Sequence, residues 1–131
     1  CLNKDLKMLG VCRGLQVLNL LMGGTIEPNL KENCTLKHAA NEHEVDIVAS
    51  PFRLTGSKVI KVNSYHNQGV FLSDLSPKLK AFAITKDQVV EGIYHPNKPV
   101  MAIQWHPERK NPAYEYDKKC LLRFFNEGVF W

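Results

Sequence analysis

Two short stretches hold the residue types needed to break an acyl bond. In Gly10-Val11-Cys12-Arg13-Gly14 a cysteine has a glycine two residues to each side, and far downstream comes His106-Pro107-Glu108. A thiol, an imidazole and a carboxylate are a nucleophile, its base and the group that orients the base. The glycine frame reads as a nucleophile elbow, the sharp strand-to-helix turn best known as G-x-S-x-G. Gly10 and Gly14 leave room for that tight backbone. Cys12 would then stand beside the first free amides of the following helix. Those amides and the helix dipole favour a thiolate and bind an oxyanion. Pro107 biases His106 toward extended chain, where residues two apart share a side. His106 and Glu108 therefore project together. Glu108 holds the imidazole in one tautomer while His106 takes the proton from Cys12. Buried structural cysteines are common, so neither stretch decides alone. Both in one short chain, each at the end of an expected strand, favour the catalytic reading.

The elements that must position these groups follow from periodicity. A buried strand over 7–11 leads into the elbow. A helix over 13–22 carries Leu15, Leu18, Leu21 and Met22 on its apolar side, and Gly23-Gly24 stops it. Residues 25–41 are polar and irregular; 42–48 and 58–62 read as strands. Segments 79–85 and 89–94 form a hairpin through Lys86-Asp87-Gln88, and 100–105 is the last core strand. A closing helix over 118–126 has Leu121, Leu122 and Phe125 as its apolar side, with Gly128 beyond its end. No repeat, linker or low-complexity segment is visible. A strand-elbow-helix unit plus hairpins suggests an α/β sandwich with a mixed sheet.

Composition narrows the function class. The chain has 131 residues, about one domain, and its 44% hydrophobic content suffices for a core. No apolar run approaches the ~20 residues that span a bilayer, so no membrane role is expected. The net charge of +4 is modest. Its lysines flank apolar stretches without forming a block, which argues against nucleic acid. Four cysteines without paired spacing do not form a disulfide framework. A thiol nucleophile favours a reducing compartment, so cytoplasm is the default.

Other residues have plainer readings. Cys34, His38 and His43 are loosely spaced for a metal site. A zinc site usually draws four ligands in tighter pairs, and no fourth is obvious, so no metal is expected. Cys120 is a packing thiol on the closing helix, His95 belongs to a surface turn, and Cys1 has no readable role. Asn63-Ser64-Tyr65-His66 follows a strand and is dense in donors, as ordinary turns are.

At this point a family resemblance enters. The segment from Leu9 to Asn19 resembles the nucleophile segment of class I glutamine amidotransferase domains. It is most similar to the branch that hydrolyses gamma-glutamyl compounds, typified by gamma-glutamyl-gamma-aminobutyrate hydrolase. Gly23-Gly24-Thr25, His43-Glu44-Val45, the segment from Val62 to Gly69 and that from Ala102 to Arg109 agree in order along the chain. Arg13 after the nucleophile fits the hydrolase branch.

The resemblance implies a flavodoxin-like open mixed sheet with flanking helices. It also implies a Cys12-His106-Glu108 triad, an oxyanion donor at the amide of Arg13, and substrate contacts from Gln16, Asn63, Ser64, Tyr65 and His66. The expected reaction is hydrolysis of a small gamma-glutamyl amide through a thioester, with no cofactor. A glutaminase subunit that passes ammonia to a synthase partner, a hydrolase of a nucleotide-linked gamma-glutamyl amidate, and an inert fragment are alternatives. Homo-oligomerisation stays open. Family domains place several strands and helices before the nucleophile, whereas here it is residue 12. Residues 1–131 are therefore expected to be the carboxyl-terminal part of one such domain. A glycine-rich loop of the earlier part would complete the oxyanion hole.

Overall fold

The computed structural model describes residues 6–39, 41–49 and 58–127. Strand β1 (Met8–Val11) runs straight into helix α1 (Arg13–Leu21). A single helical turn, α2 (Leu30–Asn33), interrupts the polar segment that follows. Then come β2 (Asn41–Ile47), β3 (Val59–Ser64), a 3-10 turn (Leu72–Asp74), β4 (Lys80–Ile84), β5 (Val90–Tyr94), β6 (Val100–Ile103) and helix α3 (Tyr114–Glu127).

The strands form one mixed sheet in the order β1-β6-β5-β4-β2-β3. Only β1 and β6 are parallel, with Gly10 opposite Ala102 and Val11 opposite Ile103; the other described pairs are antiparallel. This register brings the carboxyl ends of β1 and β6 side by side. Ligands and reacting groups of open α/β sheets gather at such strand ends.

Each face of the sheet has its own apolar layer. Leu15, Leu18 and Met22 of α1 pack with Val90, Ile93, Val100 and Ala102. On the other face Cys120 and Phe124 of α3 pack with Phe82, Met101, Ile103 and Trp105. All four residues of β6 are buried, alternating between the two layers. Each such side chain contributes roughly 1.5–3 kcal/mol through burial. The two layers fix β6 from both sides, and His106 follows three residues beyond its end.

The expected strands, elbow helix and hairpin all form. Two apolar assignments do not hold. Leu21 of α1 is 65% exposed, and Leu122 and Phe125 of α3 are 53% and 52% exposed. In α3 the buried face is Asp117, Cys120 and Phe124. That helix also begins four residues early, at Tyr114, because polar Asp117 reaches inward to Trp105. Gly23, at φ +97°, supplies the left-handed residue that ends α1. Cys1 and Gly128 lie outside the described residues.

Candidate active site

Cys12 is the hinge between β1 and α1. Its amide donates to the Ile103 carbonyl at 2.8 Å, which extends the β1–β6 ladder by one residue. Its backbone then turns sharply, with φ 50° and ψ −104°. A non-glycine residue there holds strain of about 1–3 kcal/mol, of the kind that gathers at functional sites. The elbow needs only one of its glycines. A Cβ on Gly10 would lie 2.8 Å from Ala102 Cβ and 2.9 Å from the Gly14 carbonyl carbon, whereas one on Gly14 would meet nothing within 4 Å.

The Cys12 thiol is half-buried and receives Gln104 Nε2 at 3.4 Å. Burial pushes its pKa up, and so does the negative charge of Glu91; the Arg13 amide, the Arg13 guanidinium and Gln104 pull it down. The net direction is upward. The thiolate expected from the helix amides is thus not the resting form, because desolvation outweighs the donors.

His106 and Glu108 form a tight pair. Nδ1 of His106 lies 2.7 Å from Glu108 Oε1. Burial opposes ionisation of Glu108, but its contacts with His106 and Arg109 hold the carboxyl below the usual range. An ionised carboxylate only accepts, so Nδ1 carries a proton; in the neutral ring Nε2 then holds the lone pair. That is the tautomer a general base needs. Among the described residues no hydrogen bond joins Cys12 Sγ to His106; the sulfur bonds Gln104 instead. Free sites commonly hold such pairs loosely.

A cleft of about 270 Å³ opens beside the thiol, lined by Cys12, Arg13, Gln16, Pro28, Tyr65, His66, Asn67 and Gln68. Tyr65 sets its ring edge-on to His106 at 5.8 Å, and the Arg109 guanidinium lies 4.6 Å from the same ring. Arg13 Nη2 donates to Gln68 Oε1 at 3.1 Å across the mouth.

Comparison with known proteins now decides the family. The Peptidase C26 family model matches residues 1–108. The chain belongs to the Peptidase C26 family. It is 33% identical over 130 residues to the glutamine amidotransferase-like protein YvdE of Lactococcus lactis, covering 93% of this chain and 54% of that protein. It is 30% identical over 143 aligned positions to the gamma-glutamyl-gamma-aminobutyrate hydrolase PuuD of Escherichia coli, covering 97% and 54%. The fold matches a glutamine amidotransferase from Thermotoga maritima with a TM-score of 0.68 at 19% identity, over 96% of this chain and 53% of that one. The flavodoxin-like sheet is the one these relatives share. The chain spans about half the length of the curated relatives it matches.

Within this Peptidase C26 chain the five substrate candidates divide. Gln16, Tyr65 and His66 line the cleft; Asn63 and Ser64 do not. Asn63 is 2% exposed and binds the backbone of His106 and Lys110. Ser64 is fully buried, and its hydroxyl donates to the His38 carbonyl. Gln16 is also tied down, donating to the Gln68 carbonyl at 2.9 Å. Arg13 contributes its amide to the Cys12 sulfur.

Sequence reasoning missed Gln104, which is fully buried and touches both Gln16 and the thiol. Its signal was a polar residue inside the otherwise apolar run 100–105. It also missed Gln68, Arg109 and Glu91, none of which stands out without tertiary contacts.

Proposed function

We propose that this chain carries the reacting groups of a gamma-glutamyl amide hydrolase: Cys12 as nucleophile, His106 as base and Glu108 as its orienting partner. The observation that supports this most is the left-handed elbow at Cys12 beside β6, whose continuation holds the His106–Glu108 pair. His106 Nε2 takes the thiol proton, and the sulfur attacks the side-chain carbonyl of the gamma-glutamyl group. The Arg13 amide donates to the oxyanion. A second donor is assigned to the part of the domain that the relatives have beyond the region matched here. The intermediate collapses to a thioester as the amine leaves with the proton from His106. Water, deprotonated by His106, then attacks the thioester, releasing glutamate and restoring the thiol. Because the resting thiol is held protonated by burial, the base has to act before attack.

Tyr65 and Gln68 are the cleft residues assigned to meet a glutamyl head group, with Gln16 holding Gln68 through its carbonyl, and no cofactor is required by this chemistry. The domain is read as the carboxyl-terminal part of one amidotransferase-like unit.

A second reading is favoured by the names of YvdE and of the Thermotoga maritima protein. In it the same thioester forms from glutamine, and the ammonia passes to a synthase partner. The test is glutamate release from gamma-glutamyl-gamma-aminobutyrate and from glutamine. Release from the former without a partner supports the hydrolase. Release from glutamine alone, stimulated by a synthase, supports the second reading.

A further inference from the structure

Away from the thiol, three imidazoles converge on one buried carboxylate. Glu91 of β5 is fully buried, and His38, His43 and His66 are 3%, 6% and 5% exposed. His43 Nε2 and His66 Nε2 each lie 3.3 Å from Glu91 Oε1, and His38 Nδ1 lies 3.6 Å from it. Despite these distances, His38 Nδ1, both nitrogens of His43, His66 Nε2 and both Glu91 oxygens make no hydrogen bond among the described residues. Buried polar atoms in this number are rarely left unpaired.

The tautomers sharpen the problem. His66 Nδ1 faces the Gln68 carbonyl at 3.0 Å, and a carbonyl only accepts, so Nδ1 carries the hydrogen. His38 Nε2 faces the Asp87 carboxylate at 3.4 Å, so it carries the hydrogen there. In neutral rings His66 Nε2 and His38 Nδ1 then aim lone pairs toward a carboxylate. Lone pairs facing an anion repel unless a cation stands between them. Protonating all three rings would crowd three charges around one buried anion. One divalent ion resolves both difficulties.

We propose that His38, His43 and Glu91 bind a divalent metal ion of the zinc type, with His66 packed beside them against the same carboxylate. The ligating atoms of His38, His43 and Glu91 lie within 4.8 Å of one another. Ligands about 2.0–2.1 Å from a tetrahedral zinc stand roughly 3.3–3.4 Å apart. Glu91 Oε1 lies 3.3 Å from His43 Nε2 and 3.6 Å from His38 Nδ1. The outer contact of His38 with Asp87 is of the kind that orients a metal-bound imidazole.

Three protein donors leave the fourth position of a tetrahedral ion open. The ion would tie His38, in the segment before β2, and His43 of β2 to Glu91 of β5. Spacing alone offered Cys34, His38 and His43; the fold instead sets Glu91, from a strand far along the chain, beside His38 and His43. A neighbouring set of Cys34, His38 and Asp87 is the rival. Its Asp87 is already bonded by Thr85 and by the Leu36 amide, so it lacks the unpaired atoms that call for an ion. The proposal does not depend on the chemistry at Cys12.

The test is equilibrium dialysis of the protein against zinc alone, with cobalt(II) as a spectroscopic substitute. One zinc per chain is expected. The cobalt form should show tetrahedral visible bands without a thiolate charge-transfer band. Glu91→Gln and His43→Asn should each weaken zinc binding at least about tenfold, and Cys34→Ser should leave it unchanged. Circular dichroism without metal checks that each variant folds. Where neither folds, the cobalt spectrum of the unsubstituted protein decides. No bound zinc, a thiolate band, or loss of binding in Cys34→Ser alone would overturn the proposal.

Discussion

Asn63 clasps His106 by its backbone on both sides. Its Oδ1 accepts the His106 amide at 2.9 Å, and its Nδ2 donates to the His106 carbonyl at 2.9 Å and to that of Lys110 at 3.1 Å. The chain after β6 bends at Pro107, and this side chain sets where the imidazole begins.

Asn63→Ala should leave three backbone groups without their partner. Each buried orphan costs about 1–3 kcal/mol, less where water reaches it. A loss of about 2–4 kcal/mol is expected in urea unfolding. Turnover should fall more than substrate affinity, since the base is displaced and the cleft is not. An unchanged midpoint would mean the clasp contributes nothing.

The two glycines of the elbow should respond differently. Gly10→Ala pushes a methyl into Ala102 and into the backbone of Gly14, so expression or stability should suffer by several kcal/mol. Gly14→Ala faces open space inside α1 and should be neutral or stabilise by up to about 1 kcal/mol. Thermal melting of the two variants checks this, and equal melting temperatures would contradict it.

Gln104→Leu removes a donor to the Cys12 sulfur. Gln104 is among the contacts that pull the thiol pKa down, so its loss should raise that pKa further. The pH profile of Cys12 alkylation should then move to higher pH. A shift to lower pH would show that the contact acts on the thiol in some other way.

Asp117 gives a stability test with a defined sign. Burial raises its pKa to about 6, against the donors Trp105 and Asn111 that lower it. The native state thus holds this proton more tightly than the unfolded chain, whose carboxyl titrates near 3.9. Its contribution is most favourable below about pH 4 and is lost as pH rises through about 6, a span of roughly 2–3 kcal/mol. Asp117→Asn does not titrate. Its melting temperature relative to the unsubstituted protein should therefore improve from pH 4 to pH 7. A constant difference across that range would refute the assignment.

Local signals made much of this molecule legible. The elbow, the Gly23 stop and the hairpin at Lys86-Asp87-Gln88 are written in adjacent residues. What the sequence hid depends on contacts between distant segments. Gln104 meets Cys12 only because β1 and β6 run parallel in one register. Leu21 and Phe125 match an apolar stripe, yet the described sheet faces cover other residues of those helices. Asn63 and Ser64 have the donors of a binding turn, but their partners are backbone groups. Glu91 looked like one residue of a strand, and only the fold gathers three imidazoles around it.

The central claim is that Cys12 carries the gamma-glutamyl group. It is tested by mixing the protein with a gamma-glutamyl amide, quenching in acid and mapping adducts by peptide mass spectrometry. A gamma-glutamyl adduct should appear on the Cys12 peptide and vanish, together with glutamate release, in Cys12→Ser. An adduct on Cys34 or Cys120, or undiminished glutamate release from Cys12→Ser, would contradict the account.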